Sequence, residues 1–380
     1  MKERQVVVVG AGPAGVASAL ALKDAGVRPL VVDRADQVAS SWRTRYDRLR
    51  LNTCRPFSHL PDRRFPKGTP MFPTRDQLIE HLVGGAQEEG IDLELGVSVQ
   101  RLESDNGDWL VQTSAGEIRA PQVIVATGYE GAPWIPDWEG RDSFGGQIVH
   151  SHAYRNPVPF EGKKVLVVGP GCSGMEISHD LAEGGASRVW LSARTPPNIL
   201  LRQGPGPVPG DMIAVALLHA PVRFADAIAR FGRRQDIGDL TEYGLPVPDE
   251  GVFARLHRLG VAPAIVDEEV IEAIKEGRIE VVRGVESLDS TGVQLADGAR
   301  IEPDAVICAT GYRRGLEPLV GHLDVLDESG KPAAVGEDAA APGLRFVGYV
   351  PRPGGLGYIG KEAKRAAKAI ARELRDRANV

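Results

Sequence analysis

The sequence predicts an α/β chain of two Rossmann-like, doubly wound dinucleotide-binding units, the second inserted into the first. Three observations predict it. A β-branched strand, a glycine turn and an apolar helix follow one another within residues 6–25, and the same order recurs at residues 163–183. Two apolar segments, residues 123–129 and 304–312, both end in Ala-Thr-Gly-Tyr and read as two return strands. This places residues 1–150 and 304–380 in one unit and residues 151–303 in the other, with an irregular helical insertion at about 196–263.

The first unit opens on four valines, residues 6–9, followed at once by Gly10-Ala11-Gly12-Pro13-Ala14-Gly15. Gly10 permits the tight turn, Gly12 lets backbone approach a pyrophosphate, and Gly15 lets the helix pack close to the strand. The helix that follows ends at Gly26, and its N-terminus offers free N–H groups and a positive dipole end to phosphates. A second strand ends in Asp33, a carboxylate about 20 residues beyond the glycines, where ribose hydroxyls are held. An ordinary glycine-rich turn would leave Asp33 unexplained.

Residues 38–64 are irregular and arginine-rich, and read either as a solvated basic loop or as a segment over a bound, phosphate-bearing cofactor. Pro73-Thr74-Arg75-Asp76 opens a helix that runs to Glu89 and stops at Gly90. Short alternating runs over residues 92–125, with Asn106-Gly107 as a hairpin turn, predict a small antiparallel insertion.

In the second unit, Gly169-Pro170-Gly171-Cys172-Ser173-Gly174 forms the turn and a helix follows. Its second strand ends in Ser192-Ala193-Arg194-Thr195, with an arginine and no carboxylate. A carboxylate would repel a ribose 2′-phosphate, whereas a guanidinium pairs with it, so this site is expected to prefer NADPH over NADH. The other reading of Arg194 is an ordinary surface charge. The chain closes on a helix predicted over residues 361–375, after a run of glycines at 354, 355, 357 and 360.

The bulk numbers fit this architecture. The 380 residues suggest two domains at roughly 150 residues each. A formal net charge of -6 gives no global attraction to nucleic acid. The three cysteines, Cys54, Cys172 and Cys308, form no Cys-x-x-Cys pair, which argues against a disulfide framework, a metal site and a redox dithiol. The N-terminus leads straight into the first strand, so no signal peptide is expected. The apolar run at 212–222 holds His219 and Pro221 and is too short to span a bilayer. A cytoplasmic protein with no membrane and no nucleic-acid partner is expected.

Two dinucleotide sites in one chain imply electron transfer between two cofactors, and the stretch between them indicates which kind. Residues 144–154, Phe-Gly-Gly-Gln-Ile-Val-His-Ser-His-Ala-Tyr, fit F-x-G-x-x-x-H-x-x-x-[FY], which resembles the fingerprint of class B flavin-containing monooxygenases. Within that class the chain is most similar to the YUCCA group and its bacterial relatives. The carriers are Arg34-Ala35-Asp36, Ala39-Ser40-Ser41-Trp42, Tyr46-Asp47-Arg48-Leu49, Pro73-Thr74, Ser173-Gly174-Met175-Glu176 and Tyr243-Gly244-Leu245. The resemblance spans essentially the whole chain.

The resemblance implies FAD at the first turn and NADPH at the second. It assigns Gly10, Gly12, Ala14, Gly15, Asp33, Arg34, Trp42, Val99, Thr127 and Gly128 to cofactor contact on the FAD side, Val99 through its backbone to the adenine. It assigns Gly169, Gly171, Cys172, Ser173, Gly174, Arg194 and Thr195 to NADPH, with Thr310 and Gly311 completing the cofactor contacts. The N-terminus of the last helix is expected to face the flavin. Asn52 resembles the asparagine that lies beside flavin and NADP⁺ in many of these enzymes, a position often histidine in plant YUCCA proteins, and is the candidate catalytic residue. His150, the linker histidine, reads equally as a capped turn and as a chemical group.

The implied reaction is NADPH- and O2-dependent monooxygenation of a small organic substrate through a flavin C4a-hydroperoxide. The options are N- or S-oxygenation, or carbonyl attack including oxidative decarboxylation of a 2-oxo acid such as indole-3-pyruvate. The alternative is a non-oxygenating NADPH-dependent reductase or redox sensor. The oligomeric state stays open, a homodimer among the options.

Overall fold

A computed structural model describes residues 1–379. They divide into two compact units, one made of Met1–Thr44, Thr53–Ala132 and the chain from Tyr312 onward, the other of Arg45–Asn52 and Pro133–Gly311.

The first unit begins with β1 (Val6–Val9), α1 (Pro13–Asp24) and β2 (Pro29–Asp33). Next come α2 (Arg75–Glu88), β3 (Asp92–Leu95), the antiparallel strands β4 (Val99–Asp105), β5 (Asp108–Thr113) and β6 (Gly116–Ala120), and β7 (Gln122–Val125). The helix α2 starts at a capping box: Thr74 Oγ1 accepts from Gln77 N, and Gln77 Oε1 accepts from Thr74 N. Asn106 and Gly107 both take positive φ, 51° and 82°, which is what a two-residue hairpin between β4 and β5 requires.

The second unit runs through β8 (Gln147–His150), β9 (Lys164–Val168), α3 (Cys172–Glu183), β10 (Arg188–Ala193) and β11 (Ile199–Leu201). It continues with α4 (Gly210–Leu217), α5 (Val222–Asp236), α6 (Val252–Leu259), β12 (Ala264–Val266) and α7 (Glu268–Lys275). Its last strands are β13 (Glu280–Arg283), the antiparallel β14 (Val285–Leu288), β15 (Val293–Leu295) and β16 (Arg300–Ile301), and β17 (Ala305–Cys308). The chain then completes the first unit with β18 (Leu344–Phe346) and α8 (Gly355–Ala378).

Each unit is a five-stranded parallel sheet with a smaller layer on one face: in the second unit three antiparallel strands, in the first three antiparallel strands extended by a short strand, Lys2–Glu3, that pairs in parallel with β6. The first sheet is ordered β18-β7-β1-β2-β3 and the second β8-β17-β9-β10-β13. Strand alternation builds both layers. In β9, Val165 and Val167 face α3 and join Met175, Ile177 and Leu181 in one core, while Leu166 and Val168 face the antiparallel layer with Leu288, Val293 and Leu295. In the first unit, Val7 and Val9 pack with Trp109, Val111 and Ile118 of the antiparallel layer. Each buried Val or Leu of this kind contributes about 1.5–3 kcal/mol over its exposed state.

Two expectations are corrected. First, β8 and β17 both lie in the second sheet, paired Gln147↔Ala305 through His150↔Cys308, so residues 147–150 and 304–308 do not belong to the first unit. The two Ala-Thr-Gly-Tyr strands each close their own sheet. Second, the last helix begins at Gly355 rather than 361. A Cβ at Gly357 would stand 2.8 Å from the Phe57 carbonyl oxygen, so close backbone packing, not loop formation, explains that glycine. The helical insertion expected at about 196–263 is present, and parallel pairing of β11 with β12, Ile199↔Ala264, closes its base. It carries helices α4 to α6, and Asp226 of α5 accepts from the Phe253 and Ala254 N–H groups that open α6.

Candidate functional site

The two glycine turns share one geometry. Gly10 and Gly169 both have φ 109°. A Cβ at Gly10 would stand 2.8 Å from the Ala126 carbonyl oxygen, and one at Gly169 would stand 2.5 Å from that of Ala309. A Cβ at Gly15 would reach 1.7 Å from the Gly10 oxygen, and one at Gly174 would reach 1.8 Å from the Gly169 oxygen. A Cβ added at Gly12 or Gly171, the residues that cap α1 and α3, would meet nothing within 4 Å, and neither helix has a side-chain cap. Each twelve-residue helix therefore presents unpaired N–H groups to open space at its positive end. That is a fit for a pyrophosphate in each unit.

Around the first turn, Asp33 Oδ2 accepts from Ala11 N at 2.6 Å and Oδ1 from Ala35 N at 2.8 Å. Its carboxylate braces the turn and keeps a second acceptor position on each oxygen. Ala39, in the left-handed region at φ 61°, donates its N–H to the Ala11 oxygen at 2.9 Å and opens the short helix that holds Trp42. Val97 donates to the Asp33 backbone oxygen, which brings the start of β4 and Val99 beside the same strand end. Arg34 is exposed next to Asp33. Ala14 lies against Gly348, whose Cβ would stand 2.7 Å from that of Ala14. Thr127 Oγ1 pairs with the Tyr349 hydroxyl at 2.7 Å, and Gly128 takes φ 79°.

The second turn departs from the first at two matched places. Gly10 N donates to Val32 O, and Gly169 N to Ser192 O. Asp33 therefore corresponds to Ala193, and Ala11 to Pro170. The second turn thus lacks both the carboxylate and the N–H that would hold it. Arg194 and Thr195 follow exposed, and among the described residues Arg194 makes no ion pair. Ser173 sits in the first turn of α3. Cys172 Sγ accepts from Ile265 N at 3.2 Å, and burial pushes its thiol up to about 11, so it is neither thiolate nor nucleophile at neutral pH. Burial likewise pushes Cys308 up to about 12. Thr310 Oγ1 donates to the Trp134 oxygen, and Gly311 takes φ 84°.

His150 is committed to backbone at both ring nitrogens. Nδ1 accepts from His152 N at 3.0 Å, so Nε2 carries the proton and donates to Gly311 O at 2.9 Å. The ring clasps β8 to the end of β17, which is the turn-holding role.

Sequence reasoning missed a buried polar network beside α3. Tyr46 donates to Glu176 Oε2 at 2.5 Å, and Arg48 pairs with Asp180 at 3.2 Å. Residues 46–49 form a turn closed by Leu49 N donating to Tyr46 O at 3.2 Å, and Tyr46 and Arg48 reach Glu176 and Asp180, which stand one turn apart on α3. Tyr154 also donates to Asp180, at 2.7 Å. Arg202, 3% exposed, donates to Glu176 Oε1 and to Asp267 Oδ2. Its Nη2 and Nε also donate to Asn52 Oδ1, at 3.1 and 3.3 Å. Burial, then the Glu176 carboxyl, holds the Tyr46 phenol well above its ordinary range. Burial opposes the Arg202 charge, but Glu176 and Asp267 outweigh it and keep the guanidinium protonated. Asn52 thus sits at the end of a charged, buried chain of groups in the second unit.

Comparison with known proteins agrees with this geometry. Residues 7–198 match a family described as pyridine nucleotide-disulphide oxidoreductase. Over 98% of its length the chain is 34% identical to the indole-3-pyruvate monooxygenase YUCCA1 of Oryza sativa subsp. japonica, covering 92% of that protein. A flavin-containing monooxygenase from Stenotrophomonas maltophilia has a similar structure, with TM-score 0.74, 23% identity and 100% of both chains covered. So does ε-caprolactone-bound cyclohexanone monooxygenase, with TM-score 0.77 and 19% identity over 99% of this chain and 89% of that one.

Proposed function

The chain belongs to the class B flavin-containing monooxygenases, with the YUCCA group among its relatives, and on that premise we propose that it oxygenates a small 2-oxo acid at the expense of NADPH and O2. It is an FAD- and NADPH-dependent enzyme. The observation that carries the reading is the pair of glycine turns, each with an open, uncapped helix N-terminus, one braced by Asp33 and the other lacking that acid. When bound, the cofactors supply hydride from NADPH to flavin and two electrons from flavin to O2, so that one oxygen atom enters the substrate and the other leaves as water.

The residues divide the work. Gly10, Gly12, Gly15 and Asp33, with Trp42, Val99, Thr127 and Gly128 around them, hold FAD. Gly169, Gly171, Ser173 and Gly174 hold the NADPH pyrophosphate, and Arg194 with Thr195 takes the 2′-phosphate. Asn52 presents its amide to bound NADP⁺. The Cys172 thiol, held protonated, and the lack of any Cys-x-x-Cys pair weigh against a dithiol reductase.

Indole-3-pyruvate, named for the relatives, is the first substrate to try. A 2-oxo acid, O2, NADPH and a proton would give the carboxylic acid one carbon shorter, CO2, NADP⁺ and water. The test follows NADPH oxidation and product mass over a panel of 2-oxo acids, ketones, amines and thioethers. Conversion of amines or thioethers with no turnover of any 2-oxo acid would overturn the substrate class. NADPH oxidation with no oxygenated product from any compound would favour a reductase.

Asn52→Ala should leave NADPH-driven flavin reduction nearly unchanged while oxygenated product per NADPH falls and hydrogen peroxide rises. One hydrogen bond of roughly 0.5–1.5 kcal/mol sets the scale, a twofold to tenfold shift in partition. Slower reduction with unchanged coupling would move Asn52 to the NADPH site or the fold.

A further inference from the structure

The network around Arg202 has more structure than a buried ion pair needs. One guanidinium, 97% removed from solvent, faces two carboxylates and one neutral amide. Its donors go to Glu176 on α3, to Asp267 just beyond β12, and twice to the single oxygen of Asn52. The backbone fixes the origin of the side chain as well, since Arg202 N donates to Val266 O at 2.8 Å. Glu176 is in turn held by the Tyr46 hydroxyl. Tyr46 and Asn52 both belong to Arg45–Asn52, so this short segment is tied at both ends to the same buried group of charges.

The chemistry of an amide makes this arrangement directional. Guanidinium has five N–H donors and no acceptor, so only the oxygen end of Asn52 can face it. The reversed amide would set N–H against N–H and leave donors on both sides unpaired, which is unfavourable in a site largely shielded from water. Two N–H groups of a cation on one oxygen also polarise the amide and strengthen its opposite N–H bonds as donors. The two carboxylates already occupy Arg202, so it is not the residue that receives a substrate carboxylate.

We propose that Arg202 is a positioning residue for the oxygenation step: held by Glu176 and Asp267, it fixes the Asn52 amide with oxygen inward and NH2 as the end offered to NADP⁺ bound in the same unit. This deepens the reading of Asn52 given above and rests on it. Arg202 acts through Asn52 and touches neither cofactor nor substrate.

The test measures oxygenated product per NADPH, hydrogen peroxide yield and NADP⁺ affinity by titration calorimetry in the FAD-loaded protein. The variants are Asn52→Ala, Asn52→Asp, Arg202→Lys and the double variant Asn52→Ala/Arg202→Lys. Lysine keeps the charge but cannot give two parallel N–H bonds to one oxygen while serving both carboxylates. Arg202→Lys should lower coupling and weaken NADP⁺ by the same factor as Asn52→Ala, on the order of twofold to tenfold for one hydrogen bond. The double variant should be no worse than Asn52→Ala alone, because the second change acts through a group already removed.

Asn52→Asp supplies an independent arm that leaves Arg202 intact. The carboxylate keeps the inward bonds and loses the outward N–H groups, so coupling should fall as in Asn52→Ala. Parent-like coupling in Asn52→Asp would overturn the proposal, whether or not Arg202→Lys folds. So would losses that multiply in the double variant, or unchanged coupling in a folded Arg202→Lys when Asn52→Ala uncouples. Unchanged coupling in Asn52→Ala would instead remove the role of Asn52, and this proposal with it.

Discussion

Gly12→Ala should yield a folded protein with little bound flavin, whereas Gly15→Ala should fail to fold. Both replacements add one methyl group to the same turn, so the contrast isolates what each glycine does. Gly12 has φ -82° and ψ -170°, a conformation any residue adopts, and its added Cβ would meet nothing within 4 Å. The fold has no reason to resist the change, and the methyl group stands in the space before the α1 N-terminus. At Gly15 the added carbon would stand 1.7 Å from the Gly10 oxygen and 2.8 Å from its carbonyl carbon, both backbone atoms of the turn. Neither can yield without separating α1 from β1, a disruption in the class that costs more than about 4 kcal/mol. The absorbance ratio at flavin and protein wavelengths reads the first effect, and thermal unfolding of flavin-free protein reads the second. Gly12→Ala purified with full flavin at parent affinity would show that pyrophosphate does not pass this backbone. The matching change in the second turn, Gly171→Ala, should weaken NADPH and leave flavin content alone.

These turns were legible in the sequence because their function depends on missing atoms. Gly10, Gly12 and Gly15 are required by contacts within a few residues or across one sheet, and Asp33 follows from the strand that pairs with β1. The Asn106-Gly107 hairpin and the Thr74 cap were legible for the same reason, being local. Sheet membership was harder. Residues 147–150 and 304–308 are apolar and strand-like, but nothing in their composition says which of two similar sheets they join; only the pairing of His150 with Cys308 does. The Arg202 network was invisible because its hydrogen-bonded partners are separated by up to 150 residues and each has an ordinary surface meaning alone. One signal was available: Glu176 and Asp180, four apart, share one face of the helix that follows the second glycine turn; their partners Tyr46 and Arg48 lie on a turn that no local pattern ties to that face. The final glycine run misled in the other direction. Its propensity argues against helix, and close packing against residues 57–61 overrides it.

Arg194→Ala should lower NADPH affinity about tenfold or more while changing NADH affinity little. The register of the two sheets supports this beyond the presence of an arginine. In the first turn, an acid at the end of β2 is locked by the N–H of Ala11. In the second, the equivalent strand end is Ala193 and the equivalent N–H is absent because Pro170 fills the position. The strand end itself carries no carboxylate to repel a 2′-phosphate, and Arg194 follows directly. Its stem rests on Gly284, where an added Cβ would stand 3.1 Å from Cβ and 3.2 Å from Cγ of Arg194, so a bare backbone leaves room for the arginine at the mouth of the site. A hydrogen bond to a charged group contributes roughly 1.5–3 kcal/mol, and about 1.4 kcal/mol is tenfold. Arg194 is exposed, so water and salt reduce that contribution, and the preference for NADPH should narrow as ionic strength rises. Dissociation constants for both nucleotides at low and high salt, in parent and variant, check each part. Equal losses for NADPH and NADH would show that Arg194 does not read the phosphate. A salt-independent preference that survives the substitution would place the discrimination on the geometry of the turn itself.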